Sequence, residues 1–398
     1  TVVGAATFKD DVSVSGNTNL GGTVTVGGAV SLASSLSVGG VANFADTVTI
    51  AGAVSLASTL SVGGATNFAT TVTVVGTGTF KSHVSVSGNL DVAGNVSVGG
   101  TVFATGGITF DGDISVSGDL NVGGTLTVAG ATSLNSTLSV GGATNLLSTV
   151  TVAGATGFLG SVRVSGATSV SNANVGGTLT VAGAVSLAST LSVGGAANFA
   201  STVTVAGVGI FKDAVSVSGN LDVAGNVSVG GTIFATGGIT FDGDISVSGD
   251  VNIGGTLTVG GATSLASTLS VGGATNLLDT VTVAGNAGFL GTVRVSGATS
   301  VSNANVGGTL TVAGAVSLAS TLSVGGATNL LSTATITGNS GFLGTVRVSG
   351  NVSLEGQLQL TESAAAAVET TAINGITSVS LNFGTAQNFF TSVTAAHT

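Results

Sequence analysis

Five residue types are missing from this chain of 398 residues: proline, cysteine, methionine, tryptophan and tyrosine. Each absence narrows the reading. Proline cannot donate a backbone hydrogen bond, so its exclusion suits a continuous β-ladder. Without cysteine there are no disulfides and no thiolate metal sites, and the redox compartment leaves no mark. Without tryptophan and tyrosine the usual platforms for stacking sugars and bases are gone, and Phe is the only aromatic. Charge is scarce as well: 6% of residues are Asp, Glu, Lys or Arg, against about a quarter in ordinary globular proteins. Six Lys and Arg face sixteen Asp and Glu, a net charge of −10. That balance disfavours nucleic acid and anionic membranes as partners. Mean hydropathy is high, +0.69, yet no stretch approaches the ~18 consecutive apolar residues of a membrane span. No secretory signal is recognisable.

What the chain does contain is a six-residue repeat. From Ala5 to Glu362 it reads as sixty consecutive hexads, two of them one residue short, at 173–177 and 304–308. The strong form is x-V-x-V-x-G, as in TVTVGG at 23–28 and DISVSG at 113–118. The weak form is A-x-x-L/F-x-S, as in AVSLAS at 29–34 and ATNFAT at 65–70. No charged residue or histidine occupies position 2 or 4 of any hexad. Apolar residues at alternate positions, with β-branched Val and Thr, specify a strand that buries positions 2 and 4 and exposes position 3. Gly at position 6 supplies a positive φ at a corner or lets neighbouring backbones approach closely. One short strand cannot stand alone, so stability is a nearest-neighbour property of the array. A longer period is superimposed: residues 83–213 return almost unchanged at 214–344, an offset of 131. Length is the property that such a duplication varies.

The fold class is therefore all-β, an elongated repeat fibre of stacked hexad strands. Two architectures fit. A homotrimeric β-prism or triple β-helix is preferred, because Thr and Ala at many position-2 sites would leave one chain a thin core. The alternative is a single-chain β-solenoid with three hexads per coil. At about 4.8 Å per stacked strand the trimer would be roughly 290 Å long and the solenoid roughly 95 Å. The hexads define a shaft over 1–362. Residues 363–375, rich in good helix formers, read as a linker or short helix. Residues 376–398 alternate again in a new register, as the start of a small C-terminal β module. A start at Thr1 and an abrupt end at Thr398 predict a piece of a longer product.

The tandem TLTVAGATSLNSTLSVGGATNLLSTVTVAG at 125–154 resembles the shaft repeats of phage tail fibres and related virion fibre proteins. The segment SVSLNFGTAQNFFTSVTAAHT at 378–398 is similar to a β module that follows such shafts. The resemblance implies an elongated homotrimer on a virion, holding a receptor-binding tip away from the particle and contacting other virion proteins at its ends. The tip that would engage a host receptor is absent from this chain. Adhesive fibres of bacteria use similar repeats, which leaves a cell-surface adhesin stalk or secreted filament as the alternative. The family shaft has no catalytic residues.

Candidate sites are few. Asp111-Gly112-Asp113 recurs as Asp242-Gly243-Asp244, with Asp119 and Asp250 six residues further on. Clustered carboxylates suit a hard cation, and Asp-Gly equally suits a polar corner. Arg163, Arg294 and Arg347 share position 3 of one hexad type. They read as outward charges, either bridging chains or discouraging aggregation. His83 and His397 have no catalytic partner, and no Ser has a His and Asp set beside it. A glycosidase cleft would need aromatic residues that are missing. Enzyme activity and cofactors are not expected. Thr pairs such as Thr23/Thr25, Thr149/Thr151 and Thr280/Thr282 admit an ice-binding reading or plain β-propensity. Asn95-Val96-Ser97 and Asn226-Val227-Ser228 match a glycosylation acceptor.

Overall fold

The strands wind as a single-chain parallel β-solenoid of about 19 turns, with no helix among the described residues. The computed structural model describes residues 2–354 together with the backbone of the strands Leu358–Leu360, Ala366–Ile373 and Ile376–Phe383. Fifty-six strands join in one continuous sheet. Most are three residues long and coincide with hexad positions 2 to 4, as in Val24–Val26 and Val30–Leu32. Each pairs in parallel with the strand three further along: Ala6–Phe8 with Val24–Val26, Val24–Val26 with Ala42–Phe44. Three hexads therefore make one coil, with three faces. The first face begins at Ala6–Phe8, the second at Val12–Val14 and the third at Thr18–Leu20. The ladder continues round the corners, where Gly27 N–H donates to Phe8 O and Val24 N–H to Val41 O. At about 4.8 Å per coil, about 19 turns give a rod of roughly 90 Å.

Positions 2 and 4 face inward and position 3 outward along nearly the whole shaft, as the alternation requires. The residues of three successive hexads of one chain enclose the core. Position 4 thus finds its partners without other chains, which is the single-chain alternative rather than the preferred prism. The thin core expected of that arrangement is filled by volume matching. Where position 2 is Gly, position 4 is Phe: Phe80 beside Gly78 and Phe211 beside Gly209, each Phe 1% exposed. A Cβ added to Gly78 would lie 3.2 Å from the Phe80 ring. Elsewhere position 2 carries buried threonines, including Thr66, Thr132, Thr144, Thr263, Thr275 and Thr328. The hydroxyls of these six have no hydrogen-bond partner, and nothing in the structure explains why they are not valines.

The corner glycines serve close approach between coils. None of the described glycines adopts a left-handed φ. A Cβ on Gly40 would instead sit 2.7 Å from the carbonyl carbon of Gly22, one coil earlier. Each of the two short hexads is entered through a corner of two residues instead of three. Ser171-Asn172 and Ser302-Asn303 pass without a break between faces, inside the long strands Thr168–Val175 and Thr299–Val306. The register against the preceding coil shifts there, between Val152 and Ala155 and between Val283 and Asn286. At the first site the tightened corner leaves an apolar space of about 30 Å³ beside Phe158, Val170, Ala173 and Leu191.

The duplication offset of 131 residues is twenty-two hexads less one residue, one hexad more than seven coils. The second copy is therefore turned by one face. Arg163 lies in the third-face column and Arg294 in the first-face column. Within 363–375, read from sequence as a linker or short helix, Ala366–Ile373 forms a strand antiparallel to Ile376–Phe383. The rest of that segment and residues 384–398 lie outside the described residues.

Candidate functional surfaces

The chemistry on this rod is concentrated at hexad position 1, where the chain enters each strand. A side-chain oxygen there reaches one coil on and accepts the backbone N–H of the residue that stacks on it. Asn89 Oδ1 accepts from Gly107 N–H at 2.9 Å, and Asn95 Oδ1 from Asp113 N–H at 2.9 Å. Asp113 Oδ1 in turn accepts from Ala131 N–H at 2.7 Å. The second copy repeats the chain of contacts, from Asn226 to Asp244 N–H at 2.9 Å and from Asp244 Oδ1 to Ala262 N–H at 2.8 Å. His83 plays the same part with its ring, Nδ1 accepting from Thr101 N–H at 2.9 Å. That contact requires the tautomer with the proton on Nε2. These groups cap backbone donors at corners, where strand pairing would otherwise leave them to water.

The structure thus places Asp113 and Asp244 in the polar-corner role. Asp111 and Asp242 sit two residues earlier in the same corners, exposed, with their N–H groups on Val92 O and Val223 O. No group of three or more Asp, Glu, His or Cys suited to a metal forms among the described residues. Asp119 and Asp250 are the most heavily engaged carboxylates. Asp119 Oδ1 accepts from Ser136 Oγ at 2.5 Å, Thr137 Oγ1 at 2.6 Å and Thr137 N–H at 3.1 Å. Asp250 does the same with Ser267 and Thr268. Hydrogen bonds from the Ser and Thr hydroxyls favour the ionised form, and hold both carboxyls down at a pKa of about 2.

Arg163, Arg294 and Arg347 are exposed at mid-strand as expected, and no ion pair joins them to a carboxylate among the described residues. The Thr pairs do not build a uniform surface. Thr25 stacks between Thr7 and Asn43, Thr151 between Ser133 and Ser169, and Thr282 between Ser264 and Ser300. A shallow depression lies beside Phe103, with Asn67, His83 and Ser85 along its wall. His397 lies outside the described residues.

One feature escapes the hexad pattern, which marks only positions 2 and 4 as apolar. Six leucines stand at position 5, a corner site otherwise held mainly by Gly, Ala and Ser: Leu147, Leu159, Leu278, Leu290, Leu331 and Leu343. All are about half exposed or more, with Leu159 and Leu290 at 80%. The signal in the sequence is the departure from small residues at that position, repeated in the same hexad context three times. No protein-family model, curated protein or solved structure matches this chain.

Proposed function

We propose that this chain is a structural spacer, the shaft of a virion fibre of the phage tail-fibre kind, holding a receptor-binding tip away from the particle. The supporting observation is the continuous parallel sheet of about 19 turns over a core of position-2 and position-4 side chains. Such a rod is stiff because every coil is tied to its neighbours, and its reach is set by coil number. Closure of each coil leaves no lateral sheet edge to aggregate. In this reading other virion proteins meet the rod at its ends, a host receptor is met by the tip, and a homotrimer is an association of three finished solenoids. No catalytic step and no cofactor is assigned to it.

A second reading, a bacterial cell-surface stalk or extracellular filament, is favoured by one observation. Each chain completes its own core, so the shaft needs no trimer in order to fold. Antibodies raised against the shaft separate the two. Decoration of virion fibres in electron micrographs is expected. Decoration of bacterial surfaces without virions would replace the first reading with the second.

A further inference from the structure

Every arginine of the chain sits in the same surroundings. Arg163 occupies the centre of the third face, with Leu159 on the corner before its strand and Leu147 on the opposite corner one coil earlier. Arg294 lies likewise between Leu290 and Leu278, and Arg347 between Leu343 and Leu331, both on the first face and three coils apart. The stacked neighbour in each case is an asparagine, Asn145, Asn276 or Asn329. Asn276 and Asn329 have an Oδ1 that is shielded from solvent and without a hydrogen-bond partner. The only acid in such a patch, Asp279, is turned to its own corner, where its Oδ1 accepts from Thr280 N–H at 2.6 Å. Each patch is thus a cation between two exposed leucines, on a rod whose net charge is −10.

The chain also carries the complement. Phe103 and Phe234 stand at position 3, where most hexads have a small polar residue, and are 49% and 46% exposed. Phe103 stacks on Asn121, two residues beyond Asp119, and Phe234 on Asn252, two residues beyond Asp250. An exposed aromatic with a carboxylate one coil on and two residues along, its Oδ1 held by Ser and Thr of the following coil, is therefore displayed twice, once in each copy of the duplication.

We infer that the leucine–arginine patches dock the phenylalanine–aspartate patches of a second copy of this chain, side by side. The pairing joins apolar surface to apolar surface and a cation to a carboxylate, neither of which has an ion-pair partner among the described residues. Arg163 and Phe103 lie on different faces and a little over three coils apart along the rod, as do Arg294 and Phe234. Neighbours are therefore staggered by roughly 16 Å. The contact is heterologous, since one patch type meets the other. The second copy of each patch is turned one face from the first, so successive patches reach different neighbours and the assembly stays open-ended. This rests on the spacer reading only for its setting. A closed trimer needs neither patch.

Sedimentation across a concentration series tests it. The wild-type mass should rise with concentration and fall with added salt. A variant with Arg163→Glu, Arg294→Glu and Arg347→Glu should be weakened about tenfold or more. So should a variant with Phe103→Ser and Phe234→Ser. Mixing the two should restore association, because each retains the patch that the other lacks. All five side chains are exposed, so far-ultraviolet circular dichroism and protease resistance should match the wild type. A wild-type chain that stays monomeric overturns the inference. A fixed threefold mass indifferent to both sets of substitutions also overturns it, and leaves the trimeric fibre reading standing.

Discussion

Replacing Thr144 by valine should stabilise the shaft. Thr144 is 1% exposed at position 2, and its hydroxyl has no hydrogen-bond partner. It stacks between Leu126 and Val162, which fill the same inward site one coil to either side. Valine exchanges the hydroxyl for a methyl of similar volume, in the same β-branched shape, at a position that accepts valine in many other hexads. Relief of a buried, unsatisfied hydroxyl amounts to about 1–3 kcal/mol. We expect a gain of about 1–2 kcal/mol, since some of the penalty is already relieved by local adjustment. Unfolding of a repeat array need not be two-state, so the effect is best read locally. The amides of Thr144 and Val162, which donate to Ser161 O and Thr178 O, should exchange with deuterium about 5–30 times more slowly. Thr151→Val, on the exposed position 3 of the next strand, is the control and should leave exchange almost unchanged. Faster exchange in Thr144→Val, or an equal slowing in both variants, would refute the assignment of the hydroxyl as an unpartnered core group.

Two further perturbations address the faces and the corners. Leu138→Asp puts a charge at a site that is 1% exposed and should cost several kcal/mol, by analogy with core truncations of about 2–5 kcal/mol. Arg163→Ser alters only the exposed face. Limited proteolysis should cut the first variant within the affected coils and leave the second as resistant as the wild type. Asp119 and Asp250 have folded pKa values of about 2, below the ordinary 3.8. Their contribution is therefore complete above pH 4 and is lost as pH falls through 2. Protection of the Thr137 and Thr268 amides should fall across that window, and Asp119→Asn with Asp250→Asn should flatten the dependence.

The strands were legible because two rules act on every hexad: alternation fixes the buried face, and position 6 fixes the corner. Val24 and Val26 could be placed inward from their spacing alone. How many chains share the core was not legible, because a Leu or Phe at position 4 satisfies a threefold axis and a single-chain coil equally well. Only the register, with Ala6 on Val24 and Val24 on Ala42, separates them. The role of Asp113 depends on what stacks eighteen residues away, Asn95 on one side and Ala131 on the other. No local motif around Asp-Gly-Asp contains that information. The six corner leucines went unread for a different reason. A pattern built on what repeats gives no weight to the position that varies.

The offset of the internal duplication has a consequence for how such a rod can grow. A block of twenty-two strands on a three-sided coil lengthens the rod by seven coils and one face. Each added block therefore changes bearing as well as reach. Anything borne beyond the block passes to the next face of the coil, and three successive insertions would be needed to return it to the face it started from. The single residue missing from each block, at Asn172 and again at Asn303, leaves that count untouched, because it shortens a corner and not a strand. Elongation by duplication is thus also a coarse steering mechanism, one that steps among the three faces of the coil.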